Sequence, residues 1–238
     1  MYKRQTLQSL VKELGNGSSE KKEHIEKEIA STTEQAMAQY HKEFTSDAKP
    51  INPYRVYGDL MKVLDLNNSF VTHESGNTRD QLSTVYETLI PRGFLGGGNV
   101  SSLGFSFPAV TAAKLAHPDR QCVAVIGDAA LSYMLGNFEV LTRLQIGLTI
   151  VHINNGGFSG YGPGFWGEGH DPFTFDVLGP EAINMSAAIK EIGWKTERVT
   201  EPSEVAPALE RALAANESNQ SAYIEVCLLY TSPSPRDS

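Results

Sequence analysis

An acid and a pair of amides stand where this chain could do chemistry. Asp128 follows the apolar run "QCVAVI" (121–126), directly after Gly127. Asn154 and Asn155 follow the next apolar run, "LTIVHI" (148–153). Carboxylate and amide oxygens are hard donors, suited to Mg²⁺ or Ca²⁺ rather than zinc. Two such side chains do not complete a site, and Mg²⁺ commonly takes its remaining oxygens from phosphates and water. The neighbouring glycines fit that chemistry. Gly127 permits a tight turn, and Gly156 and Gly157 let backbone come close to an ion or ligand. The helix after Asp128 would present its N-terminus to an anion. Taken singly, "GD" and "NN" are ordinary turn residues. Together, at consecutive strand ends, they point to a metal-bridged phosphate or diphosphate.

The elements that must position these residues alternate. Helix 54–64 leads to the apolar run "SFVTH" (69–73), and helix 104–116 leads to 121–126. Helix 133–145 leads to 148–153. After a long Gly-rich loop, helix 181–192 ends at Gly193 and "WKTERV" (194–199) follows. Helix 203–215 leads to "AYIEV" (222–226). Strands alternating with helices predict an α/β fold, a doubly wound parallel sheet covered on both faces. Functional residues of such a sheet lie at the carboxyl ends of its strands. The interval from Asp128 to Asn155 is what a loop, a helix of three to four turns and a strand consume, about one right-handed crossover. Neighbouring strands lie about 4.8 Å apart, so if these two strands are neighbours the two side chains would meet above one sheet edge.

Upstream the pattern is helical. Residues 7–13 form a short predicted helix and "GNGSS" (15–19) a break. Between Glu20 and Phe44, Ile25, Ile29, Ala36, Met37, Tyr40 and Phe44 recur at helical spacing among charged residues, the mark of a surface helix. "DAKPINPYRV" (48–56) is a linker, in which Asn52 can cap a new helix with Pro53 at its first position.

The whole composition narrows the partners. The chain has 238 residues, 40% of them hydrophobic, enough for one or two domains with a core. A net charge of −8 argues against wholesale nucleic-acid binding. Cys122 and Cys227 belong to no CxxC pair. No apolar stretch approaches membrane-spanning length, and the start lacks a signal-peptide core. A cytoplasmic location is the expectation. "MYKRQ" and "LLYTSPSPRDS" resemble translated sequencing-adapter sequence, so residues 1–5 and 228–238 are expected to be non-native ends.

At this point the motifs resemble a known family. "GDA…NN" is similar to the GDG…NN signature of thiamine-diphosphate enzymes. "GGGNVSSLGFSFPAVTAAKLAHPDRQCVAVIGDA" resembles the diphosphate-binding domain of acetolactate synthases and benzoylformate decarboxylases, and "INPYRVYGDLMKVL" its lead-in. The resemblance implies that 49–227 is the thiamine-diphosphate-binding domain. Residues 6–48 would be the tail of a middle domain and a linker helix.

The same resemblance implies the site. Asp128, the Asn155 side chain and the Gly157 carbonyl would bind Mg²⁺. Gly76, Asn77 and Thr78 of "HESGNT" (73–78) would hold phosphate oxygens. Gly127, Ala129 and Ala130 would lie beside the diphosphate, with Ala129 replacing the second glycine of GDG. Leu103 would wedge between the two rings of the cofactor and hold it bent, bringing the 4′-imino nitrogen near C2. Leu at this position is more like the benzoylformate decarboxylases, because acetolactate synthases carry Met there. The glutamate that contacts N1′ belongs to a pyrimidine-binding domain with no counterpart in this chain, and neither Glu74 nor Glu168 is assigned that role. A homodimer or homotetramer is implied, in which a partner subunit supplies that domain.

The loop 156–175 departs most from the family. Its Phe158, Tyr161, Phe165 and Trp166, with His170 at the rim, either line the substrate pocket or pack the loop on itself. His152, inside a strand, is read as a satisfied core histidine.

The expected function is the C-terminal part of a thiamine-diphosphate- and Mg²⁺-dependent enzyme acting on 2-oxo acids, with acetolactate synthase-like carboligation. Simple 2-oxo acid decarboxylation of the benzoylformate decarboxylase type is the first alternative. A non-catalytic nucleotide-binding α/β module is the second. It is disfavoured because "GGGNVS" (96–101) departs from GxGxxG and no P-loop is present.

Overall fold

The computed structural model describes residues 2–15, 19–98, 102–155 and 184–228. The chain divides into two compact units, Met1–His41 and Lys42–Ser238. The first carries α1 (Tyr2–Leu14) and α2 (Ser19–Ala38). On α2, Lys27 meets Glu23 at 2.7 Å and Lys22 meets Glu26 at 3.7 Å, each pair one turn apart. Exposed pairs of this kind stabilise little. The continuous helix expected from Glu20 to Phe44 is interrupted. The N–H of Tyr40 bonds Met37 O at 2.9 Å, and the Gln39 side chain takes Ala36 O at 3.0 Å. That diverts the next ladder bond, and a short α3 (His41–Phe44) follows.

The second unit opens with α4 (Pro53–Val63). Asn52 caps it as the sequence predicts, its Oδ1 accepting from Tyr54 N at 2.9 Å, with Pro53 at the first position. Then come β1 (Ser69–His73), α5 (Asn77–Val85), β2 (Phe94–Leu95), α6 (Ser106–Ala116) and β3 (Gln121–Gly127). After β3 the chain enters α7 (Asp128–Met134), a 3₁₀ turn (Leu135–Asn137), α8 (Phe138–Arg143) and β4 (Thr149–Asn154). The remaining elements are α9 (Met185–Glu191), β5 (Lys195–Val199), a 3₁₀ turn (Pro202–Glu204), α10 (Val205–Glu217) and β6 (Ala222–Cys227).

The six strands form one sheet in the order β2-β1-β3-β4-β6-β5, and every pairing is parallel. β1 and β4 are buried along their whole length, as strands covered on both faces must be. One side of the sheet carries an aromatic core. Phe138 packs against Trp194 at 4.6 Å and Phe107 at 5.0 Å, with Tyr223 edge-on at 6.2 Å. Trp194 donates its indole N–H to Phe138 O at 3.1 Å, so this large ring is buried without leaving a polar atom stranded.

Two features differ from the sequence reading. The helix expected over 133–145 starts at Asp128 and breaks at 135–137, where Gly136 and Asn137 are weak helix formers. β2 and α5 are additional elements. β2 is a two-residue strand, made by pairing Val71 with Phe94 and Thr72 with Leu95.

The strand order fixes where a ligand can sit. From β1 the chain steps to β2 on one side, then returns to β3 on the other. The reversal places a topological switch between the carboxyl ends of β1 and β3, the usual crevice for ligands in an open parallel sheet.

Candidate active site

β1, β3 and β4 end side by side at this crevice. The register pairs His73 with Val125, and Gly127 with Ile153. Hence the turns that begin at Glu74, Asp128 and Asn155 emerge at one edge.

Asp128 is buried at 1% exposure. Both of its oxygens accept hydrogen bonds, Oδ1 from His152 Nε2 at 2.9 Å and Oδ2 from the backbone N–H of Asn155 at 3.1 Å. The structure therefore joins the "GD" and "NN" segments directly. The two amides divide their work. Asn154 is buried, and its Nδ2 donates to Glu225 Oε1 at 2.8 Å. Asn155 is half-buried at the mouth of the crevice. Gly157, the other expected metal ligand, lies outside the described residues, as do the aromatics of the 156–175 loop, His170 and Glu168.

Gly127 needs a correction. Its φ of −101° is open to any residue, so the turn does not demand glycine. Among the described residues, a Cβ there would meet nothing within 4 Å. The missing side chain leaves space beside Asp128 instead. Ala129 and Ala130 follow it, both buried in the first turn of α7.

The turn after β1 is built on a glycine in the left-handed half of backbone space. Gly76 has φ +83° at the cap of α5, and among the described residues a Cβ there would also meet nothing within 4 Å. Gly76 and Asn77 are half-buried. Thr78 is buried, and its hydroxyl donates to Glu74 O at 3.1 Å, which ties the turn together.

Leu103 is half-buried and precedes Gly104, which has φ +87°. This turn is held by Glu74, a residue the sequence reading left without a role. Its Oε2 accepts Gly104 N at 3.1 Å, and its Oε1 accepts Ser106 N at 2.7 Å and Ser106 Oγ at 2.5 Å. Glu225, within β6 and paired in register with His152 of β4, gathers a similar set of donors. Besides Asn154 it accepts Ser186 N at 3.0 Å and Ser186 Oγ at 2.8 Å, and Arg198 Nε stands 3.7 Å away. A charged residue inside or directly after an apolar run was the one signal in the sequence for both.

Three buried carboxylates, Glu74, Asp128 and Glu225, thus lie towards the carboxyl edge of the sheet. Burial, reinforced by Glu225 and Asp128, raises the pKa of Tyr223 well above that of a free phenol. Among the described residues no group of three or more His, Cys, Asp or Glu is arranged to hold a metal. A cation at Asp128 and Asn155 would need further oxygens, the situation of Mg²⁺ bound with a phosphate ligand. The residues fit such a group: one carboxylate, one amide oxygen, and open space at Gly127 and Gly76. A polar cleft of about 400 Å³, bordered by Thr142, Gln145, Gly193 and Ser221, lies at the opposite, amino-terminal end of the strands.

Sheet topology and site together define a parallel α/β domain with an acid–amide pair at its switch point. Residues 74–226 match the family described as thiamine pyrophosphate enzyme, C-terminal TPP binding domain, and the chain belongs to that family. It is similar to the acetolactate synthase large subunit IlvG of Mycobacterium tuberculosis, 28% identical over 84% of this chain and 36% of that protein. It is also similar to the 2-hydroxyacyl-CoA lyase of Arabidopsis thaliana, 30% identical over 73% of this chain and 31% of that protein. Among solved structures, the thiamine diphosphate-dependent 4-hydroxybenzoylformate decarboxylase of Rhodococcus jostii RHA1 shares the fold. Its TM-score is 0.69 at 23% identity, over 82% of this chain and 34% of that one. The chain thus spans about a third of the length of these relatives. Among the described residues no helix is long and apolar enough to cross a membrane.

Proposed function

We propose that this chain supplies the diphosphate half of the active site in a thiamine-diphosphate- and Mg²⁺-dependent enzyme acting on 2-oxo acids, with acetolactate synthase-like carboligation. The observation that carries the reading is the joining of Asp128 to the Asn155 backbone at the switch-point crevice. Asp128 and the Asn155 amide oxygen would hold Mg²⁺, with the Gly157 carbonyl as a third ligand. The cation would offset the diphosphate charge. Backbone N–H groups at Gly76, Asn77, Ala129 and Ala130 would orient the phosphate oxygens, with Thr78 supporting that turn. Leu103 would hold the cofactor bent. When bound, thiamine diphosphate supplies the carbon nucleophile and the electron sink for loss of CO₂. The glutamate facing N1′ would come from a pyrimidine-binding domain outside this chain, on a partner subunit of a homodimer or homotetramer.

Simple decarboxylation is the second reading, favoured by Leu103, which resembles the benzoylformate decarboxylase residue rather than the acetolactate synthase one. A thermal-shift screen tests the cofactor. Thiamine diphosphate with Mg²⁺ should stabilise the protein, and NAD or ATP should not. The opposite ranking would favour a nucleotide-binding module. Product analysis of the complete enzyme with pyruvate and with benzoylformate then separates the two reactions. A coupled C–C product from pyruvate supports carboligation, and aldehyde alone supports decarboxylation.

A further inference from the structure

We infer that His152, backed by Tyr223, is a positioning residue for the Asp128 carboxylate. This rests on the reading of Asp128 as a metal ligand. His152 lies within β4, paired in register with Ile126 on one side and Glu225 on the other, and is fully buried. A buried imidazole needs a partner for each nitrogen. Here Nε2 lies 2.9 Å from Asp128 Oδ1, and Nδ1 lies 2.6 Å from the Tyr223 hydroxyl. Tyr223 is itself fully buried on β6, with its ring edge against Phe138.

The chain of bonds has a definite direction. In the neutral imidazole one nitrogen donates and the other accepts. A carboxylate can only accept, so Nε2–H donates to Asp128 and Nδ1 accepts the Tyr223 proton. This tautomer is assigned from the network. Burial keeps the phenol protonated and able to donate. Asp128 therefore fixes the proton on Nε2, and the Tyr223 hydroxyl satisfies Nδ1 and holds the ring in place.

The consequence falls on the metal. His152 holds one oxygen of Asp128, and the Asn155 N–H holds the other. With both oxygens held, the carboxylate plane is set before any cation arrives. Partners behind a metal ligand typically change affinity by about 10–100-fold. A histidine that served only to pack the core would change folding stability and leave metal affinity alone.

The test measures, by calorimetry on the complete enzyme with thiamine diphosphate in fixed excess, the apparent dissociation constant of Mg²⁺ for assembling the enzyme–cofactor–metal complex, beside the melting temperature of each variant. His152→Leu removes the N–H and should weaken Mg²⁺ by about tenfold or more. His152→Gln, which can return an N–H at the height of Nε2, should recover most of that loss. Tyr223→Phe should fall between them. Wild-type Mg²⁺ affinity in both His152→Leu and Tyr223→Phe, with lowered melting temperatures, would overturn the inference. If His152→Leu does not fold, Tyr223→Phe decides: weakened Mg²⁺ supports the positioning role and unchanged Mg²⁺ overturns it. Failure of the wild-type enzyme to bind Mg²⁺ with the cofactor would instead sink the metal reading, and this inference with it.

Discussion

Glu74 and Ser106 are 32 residues apart in sequence and joined twice, through the Ser106 backbone N–H at 2.7 Å and its hydroxyl at 2.5 Å. One buried carboxylate thereby fastens the end of β1 to the first turn of α6. The donors are N–H and O–H groups at a helix N-terminus, where a negative charge is favoured. Glu74→Ala would leave them buried and unsatisfied. We expect a loss of about 2–4 kcal/mol in unfolding free energy, measured by urea denaturation. A loss below about 1 kcal/mol would show that the turn holds without it.

Leu103 sits on the turn that Glu74 fastens. Leu103→Ala should lower the turnover of the complete enzyme more than it lowers affinity for thiamine diphosphate. The diphosphate anchor stays intact while the wedge is lost. Steady-state kinetics and calorimetry on the same preparation separate the two. Unchanged turnover with collapsed affinity would make Leu103 a purely structural residue.

His73 gives a pH dependence. Burial lowers its pKa below the free value of 6.5, and its bond to the Glu74 carbonyl offsets this only in part. The unfolded chain therefore binds this proton more readily than the folded one. The stabilising contribution is complete above about pH 6.5 and is lost as pH falls through the lowered folded value. His73→Gln should remove the effect. Urea midpoints compared above and below that pH should fall less in the variant than in wild type. Equal falls would contradict the assignment.

Gly147 offers a control far from the crevice. A Cβ there would meet the backbone oxygen of Asn216 at 2.4 Å, and backbone cannot swing aside. Asn216 in turn clamps the start of β4, accepting from Thr149 Oγ1 at 2.7 Å and donating to Leu148 O at 3.0 Å. Gly147→Ala should cost about 1–3 kcal/mol of stability. Affinity for thiamine diphosphate should not change, because this contact lies at the amino-terminal end of the strands. A fall in affinity without a fall in stability would contradict that placement.

What the sequence discloses depends on how local each cause is. β1, β3, β4 and β6 fall within about a residue of the runs read for them, because strands packed on both faces are written as short apolar stretches bounded by turns, whereas the polar edge strand β5 is placed by the helix stop at Gly193 before it. β2 has no such signature, since two residues become a strand only through β1. The proximity of Asp128 and Asn155 is legible because one crossover separates them. The role inferred for His152 is less legible, because its second partner, Tyr223, stands on β6 far along the chain and nothing in β4 says which strand lies on its other side. Glu74 eludes the sequence for a related reason, as its donors come from a turn far along the chain. Gly127 shows the converse. Its residue type suggested a turn requirement that its backbone does not have, and the open space beside it accounts for the small residue better.

Cofactor binding is proposed to depend above all on the Asp128 carboxylate. Thiamine diphosphate should be titrated into the complete enzyme by calorimetry, with Mg²⁺ and with a chelator, for wild type and Asp128→Ala. Wild type should bind the cofactor with Mg²⁺ and lose it to the chelator. Asp128→Ala should fail to bind in either condition, because the neutral Asn155 cannot hold the cation against the diphosphate charge. Undiminished, Mg²⁺-dependent affinity in Asp128→Ala would contradict the site as described.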